Sequence, residues 1–395
     1  MLTTCAAGAA MPRLRLADTE GVPRRVWPPV RRLLFTLCAC TALVNARAVP
    51  AMAQPAPSPA ATPAAPATAA PSAQPAAVPA AAVAPPAAPA AAPAVPVVAP
   101  KGNDTAIWRA THGLLLGIAR AGTRLVAVGN AGVVLLSDDE GKTWRMAKTP
   151  NDELLAAVVF PTPTEGWVVG QDEMVLHSTD AGATWTQQHF TENADQTLFS
   201  VVSIAPNHLF ASGAYNLTME TMDGTAWKDG KIDNLDDDYH LNCAVARGND
   251  IMVTGESGHA FVRYAGAWTA MKLPYEGSQF ACLVGPDGSF YSFGLRGSAF
   301  KALPGSSTWQ RIDLGTADSL FGATTLADGR MAIVGANGSV HLLDPATGKA
   351  SELEPVGEKT LSAAVEGQPG KLIAVGEDGV HLIDVSAAPA GGASQ

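Results

Sequence analysis

Short apolar runs that end on glycine dominate residues 101–395. Residues 125–128 (LVAV) precede Gly129, 167–169 (WVV) precede Gly170, and 372–375 (LIAV) precede Gly376. The anchor glycines are Gly129, Gly170, Gly213, Gly255, Gly294, Gly335 and Gly376, at steps of 41, 43, 42, 39, 41 and 41 residues. Tryptophan recurs in phase at Trp144, Trp185, Trp227, Trp268 and Trp309, at steps of 41, 42, 41 and 41. Two residue types that share one period define a structural repeat, here of seven units. Each unit reads as four short strands. In the second these are 154–160, 166–170, 174–178 and 184–189. A tight turn joins the second strand to the third, and in five units it reads G-x-x-G. Asn337-Gly338 and Asp378-Gly379 are dipeptides that favour a type I′ turn. No segment sustains a 3.6-residue period, so almost no helix is expected.

Seven units of four antiparallel strands predict an all-β, seven-bladed β-propeller over 101–388. The last unit runs into Ala, Pro and Gly after Val385 and has no Trp strand. The stretch Ala106-Ile107-Trp108-Arg109 has strand character, and we expect it to complete the seventh blade and close the ring. The sixth unit also lacks Trp; its outer strand is expected at 350–354.

Charge divides the chain. The net charge is −10, but residues 1–53 carry seven Arg against Asp18 and Glu20, and 54–100 carry none, so 101–395 hold −15. That excludes a nucleic-acid binder, which needs clustered Lys and Arg. Arg24, Arg25, Arg31 and Arg32 precede the apolar run 33–44, which is too short for a permanent span. With Ala51-Met52-Ala53 as a cleavage site, 1–53 reads as a secretory signal. A lipoprotein box at 37–40, a twin-arginine signal at Arg31-Arg32 and an uncleaved anchor stay open. Membrane contact is expected only through this segment. Residues 54–100 hold 14 Pro and 22 Ala, the composition of an extended tether. Residues 389–395 read as a tail. The expected location is the periplasm or beyond.

Two units carry S-x-D-x-G-x-T-W between third and fourth strands. One copy is Ser137, Asp139, Gly141, Thr143 and Trp144; the other is Ser178, Asp180, Gly182, Thr184 and Trp185. This is the Asp-box, a bacterial neuraminidase repeat. Its carboxylate can accept backbone N–H groups, its Gly can take a positive φ, and its Trp can pack between blades. Thr221, Asp223, Gly224 and Trp227 form a shorter copy. Together with G-W-V-V-G at 166–170 and the G-x-x-G turns, the blades resemble the photosystem II stability and assembly factor family of seven-bladed propellers. The resemblance covers about 102–386 and is closest in the first two units. It implies a non-enzymatic assembly role for a membrane protein complex in photosynthetic organisms, and a related envelope role elsewhere. The family's basic partner patch has no counterpart in this acidic domain.

Catalytic chemistry is hard to find. The Phe-Arg-Ile-Pro signature of sialidases is missing. No dinucleotide or P-loop fingerprint appears, so no cofactor is expected. His177, His259, His341 and His381 stand at different offsets from their anchors, which does not suit a shared metal. Carboxylate pairs are too common among 34 Asp and Glu to identify a glycosidase, so a glycan-acting hydrolase or a carbohydrate-binding propeller stands as the alternative. Cys243 and Cys282 each lie 12 residues before their anchors, at equivalent inner positions, and are expected to be two buried thiols.

In a propeller, second-to-third turns and inter-blade loops share one end of the disc. The candidate partner-binding face is therefore Asn130, Gln171, Asp172, Glu173, Tyr215, Asn216, Glu256, His259, Arg296, Asn337, Glu377 and Asp378. The acidic run Asp233, Asp236, Asp237 and Asp238, beside Tyr239 and His240, belongs to the same end. The expected partner is a protein of a membrane or envelope complex, and the propeller is expected to be a monomer.

Overall fold

The computed structural model describes residues 105–386, apart from 234, 237 and 238. Residues 1–53 and 54–100, where an export signal and a tether are expected, and the expected tail 389–395 lie outside the described residues.

Seven antiparallel sheets follow one another along the chain. Blade 1 occupies 115–146, blade 2 155–189, blade 3 198–230, blade 4 241–270, blade 5 279–312, blade 6 320–352 and blade 7 361–384. Within blade 2 the strands are Leu155–Val159, Gly166–Gly170, Val175–Ser178 and Thr186–His189. The fourth strand of blade 6 is Ala350–Glu352, at the expected place.

The hydrophobic pattern follows from position in the blade. Second strands are covered on both faces by neighbouring blades, so Gly166–Gly170 and Met331–Gly335 are buried throughout. First strands line a central channel and are largely half-buried, as in Leu155–Val159 and Leu241–Arg247. The core is a set of layers between blades. Val126 and Leu136 of blade 1 pack with Val168, Leu176 and Trp185 of blade 2. Leu125, Leu135 and Trp144 of blade 1 pack with Ile373 and Val375 of blade 7. Each Asp-box Trp thus fills the seam with the preceding blade.

The Asp-box turns are built as their residues dictate. Gly141 N donates to Ser137 Oγ at 2.8 Å, Thr143 N to Asp139 Oδ1 at 2.8 Å, and Trp144 Nε1 to Gly141 O at 3.0 Å. Ser178, Asp180, Thr184 and Trp185 repeat these bonds in blade 2. Burial pushes both Asp carboxyls up, but hydrogen bonds from Thr143 and Ser137, or Thr184 and Ser178, hold them below the usual carboxylate range.

Two expectations are corrected. Residues Thr105–Thr111 form a short helix, α1, and not the closing strand; blade 7 has three strands while the other six have four. Thr111 Oγ1 and His112 N bond back to the carbonyls of Ile107 and Trp108, at 3.0 and 3.1 Å, and Ala110 is buried in the seam between blades 7 and 1. The ring is therefore closed by side-chain packing between blades 7 and 1.

Cys243 and Cys282 form a disulfide, with Cα atoms 5.9 Å apart. Equal spacing from the anchors misleads because the blades differ in register. Cys243 pairs with Thr254, one residue before its anchor Gly255. Cys282 pairs with Ser292, two before Gly294. A one-residue step along a strand reverses the side chain. Cys243 therefore faces blade 5 and Cys282 faces blade 4, where it packs with Met252 and Val262.

Candidate functional site

The turns between second and third strands form one end of the disc. At Asn337-Gly338 the two central residues have φ of 55° and 68°, and Ser339 N bonds to Ala336 O at 3.0 Å, a type I′ turn. Blades 1 to 5 repeat the double left-handed pair, with Tyr215 (φ 56°) and Arg296 (φ 54°) at its first position. Blade 7 differs: only Gly379 is left-handed, at 98°, in a shorter turn. A Cβ on Gly258 would lie 1.9 Å from the Tyr275 carbonyl oxygen, so these turns press on the following inter-blade loop.

The predicted face is only partly a surface. Asn130, Tyr215, Arg296, Asn337 and Glu377 are exposed there. Gln171, Glu173, Glu256, His259 and Asp378 are half-buried. Asn216 is a correction: it is 1% exposed and clamps the following loop, donating to Ile232 O and Leu235 O at 3.0 and 3.1 Å and accepting from Ile232 N. Asp172 is also buried and accepts a bond from Asp195 N. Asn216 stands where blades 1, 4, 5 and 6 have glycine, Asp172 stands at the first position of its turn, and both side chains bond to the backbone of the following loop.

Near the mouth between blades 3 and 4 the rings gather. Tyr215 N donates to His240 Nδ1 at 3.1 Å, with the two rings edge to face at 4.9 Å. Tyr239 lies over His259, centroids 4.4 Å apart, and Glu256 accepts from His240 N. Spacing alone does not show this grouping; the Tyr239-His240 pair beside the acidic run is its only trace in the sequence.

Charge is partitioned between the two ends. The Asp-box end is rich in ion pairs: Arg124–Asp138 (2.6 Å), Arg247–Asp250 (3.2 Å), Arg263–Glu220 (2.6 Å), Lys301–Asp287 (2.7 Å) and Arg330–Asp328 (2.6 Å) lie at or near it. At the opposite end, sixteen Asp and Glu stand among the described residues of the turns and inter-blade loops, against Lys148, Lys231, Lys272, Arg296 and Lys359. Two carboxylates there meet histidine rings, Glu173 with His189 Nε2 at 3.2 Å and Asp378 with His381 Nε2 at 2.7 Å. Burial, with Asp172 and Asp152 nearby, pushes the Glu153 carboxyl up.

Between the ends runs a channel with a cavity of about 300 Å³. Its wall combines small residues, Phe199, Phe280, Phe321 and the disulfide with the polar Ser200, Asn242 and Ser362, and it includes no Asp or Glu. Among the described residues no group of His, Cys, Asp and Glu is arranged to hold a metal ion.

The sequence profile of the photosynthesis system II assembly factor YCF48 family, built on the BNR repeat, matches residues 143–364. The chain belongs to that family. A photosystem II assembly protein Ycf48 from Synechococcus sp. (strain JA-2-3B'a(2-13)) is 25% identical over 173 residues, 42% of this chain and 52% of the relative. The match thus spans about half the length of that curated relative. YCF48 from Cyanidioschyzon merolae has TM-score 0.57 at 17% identity, over 69% of this chain and 95% of that one. A structure described as YCF48 bound to D1 peptide has TM-score 0.57 at 15% identity, over 70% and 95%. Virginiamycin B lyase from Staphylococcus aureus reaches TM-score 0.60 at 11% identity, over 68% and 93%. At such identities these structures share the fold alone, and the lyase shows that the fold also serves catalysis.

Proposed function

We propose that this YCF48-family propeller is a non-enzymatic assembly or stability factor. It holds an extended segment of a membrane protein client at the acidic end of the disc. Family membership over 143–364 carries the reading. The relative bound to a D1 peptide supports a peptide-like partner.

The charge of the acidic end sets the client class. It calls for a basic segment, in contrast to the basic patch that the family resemblance implies. The disulfide supports work in an oxidising compartment outside the cytoplasm, with the Pro/Ala segment as the tether. A pull-down from crosslinked envelope, read by mass spectrometry, tests the role. Enrichment of one membrane complex, lost when Glu256, Glu377 and Asp378 are charge-reversed, is the expected result. Retention on a glycan array with no enriched protein would sink it.

A further inference from the structure

Six blades end in a fourth strand and blade 7 does not. Its third strand, Gly379–Asp384, is consequently an edge. Among the described residues no backbone hydrogen bond joins that strand to α1 or to any other outer neighbour. Edge strands with free N–H and C=O groups are templates for another strand.

Side chains mark the same gap. Leu136, Val262, Leu342 and Leu382 each pair with the residue three before the anchor glycine of their blade. In blades 1, 4 and 6 a fourth strand lies alongside, with Arg145, Thr269 or Ser351 as the neighbour. There the residue is 1%, 0% and 2% exposed, whereas Leu382 is 58% exposed. Trp108 of α1 is 60% exposed. The end of the helix meets the start of the strand, where Thr111 O lies against Gly379.

We propose that the outer edge of blade 7 binds an extended peptide segment of the client, which adds a fourth strand and covers Leu382. The six sibling blades show what fits: a short strand bonded through its backbone with one side chain over the Leu382 position. The identity of the donor as a client rests on the assembly-factor reading; the edge itself does not. Main-chain bonding would give affinity with loose sequence demands, which suits a factor that grips an unassembled chain.

The test uses the full chain and a labelled peptide that copies residues 184–190 (TWTQQHF), the fourth strand of blade 2. Saturable binding is expected by fluorescence anisotropy. It should weaken at least tenfold when alternate peptide amides are N-methylated, which removes hydrogen bonds and keeps side chains. Leu382→Lys should weaken it similarly while leaving the melting temperature nearly unchanged, because the side chain is already exposed. Equal binding by the N-methylated peptide, no binding at millimolar peptide, or a concentration-dependent dimer abolished by Leu382→Lys would each overturn the proposal. Client capture that survives Leu382→Lys would overturn it too and leave the assembly-factor reading standing. Loss of capture on charge reversal but not on Leu382→Lys would leave the acidic end as the client's site and overturn the added strand.

Discussion

Cys243 and Cys282 are bridged across the seam between blades 4 and 5, although each stands 12 residues before its anchor glycine. The bridge is the one disulfide cross-link between blades among the described residues. It closes a segment with a sequence separation of 39. Cross-links of such loop length typically contribute ~2–4 kcal/mol by restricting the unfolded chain. Cys243→Ala with Cys282→Ala should lower stability by about that amount in denaturant titration. The wild type in dithiothreitol should fall to the same midpoint. An unchanged midpoint in both would show that the bridge carries no stability.

The Asp-box carboxylates should shape the acid limb of the stability curve. Asp139 and Asp180 are held below their ordinary value in the folded state. Their contribution is therefore complete above the unfolded carboxylate range and is lost as pH falls through the lower folded values. Asp139→Asn with Asp180→Asn should lower the melting temperature at pH 7 and flatten its decline between pH 5 and 2. Each substitution weakens bonds to a backbone N–H and a Thr hydroxyl, at about 1 kcal/mol per site. A variant with an acid limb as steep as the wild type would remove these two groups from the account.

Blade number, strand order and the Asp-box turns are legible in the sequence because period, glycine punctuation and local hydrogen bonding act within one blade. What stays hidden depends on neighbours. The Cys243–Cys282 bridge turns on a one-residue difference in register that residue counting to the anchor cannot detect. At Ala106–Arg109, apolar and aromatic residues suit a strand, yet local bonds from Thr111 and His112 favour a helix. At the candidate face, Asn216 reads as a turn tip but spends its amide on Ile232 and Leu235. Position along the repeat locates the polar turn residues; backbone groups of the next loop that bond to Asn216 and Asp172 decide which of them leave the solvent.

Two glycines with similar backbone angles should respond differently to alanine. Gly248 has φ 57° and open space where a methyl would sit, whereas Gly258 has φ 68° and the Tyr275 oxygen 1.9 Å from such a methyl. Gly248→Ala should cost only the left-handed penalty, roughly 1–2 kcal/mol. Gly258→Ala adds displacement of the 271–278 loop and should cost clearly more. Thermal melting of the two variants side by side checks this; equal losses would mean that the loop yields freely.

Acidic loops at one end and ion pairs at the other predict a polarity in client capture. Glu276 and Glu377 are exposed at the acidic end and have no Lys or Arg partner among the described residues. Glu165 lies at the Asp-box end, in the first hairpin of blade 2. Exposed charge pairs contribute up to about 1 kcal/mol each, so Glu276→Lys with Glu377→Lys should weaken capture of a basic client by roughly tenfold. Glu165→Lys should leave it unchanged. The wild-type affinity should fall as salt rises from 50 to 300 mM, since the ends of the loops lie in water and are screened, taking about 10 Å as the Debye length at 0.1 M. Because rim charges act mainly on encounter, the loss should appear in the association rate more than in dissociation. Surface plasmon resonance of the three proteins against the enriched client separates these arms. A double reversal that binds as well as the wild type at low salt would show that the acidic end is not where the client lands.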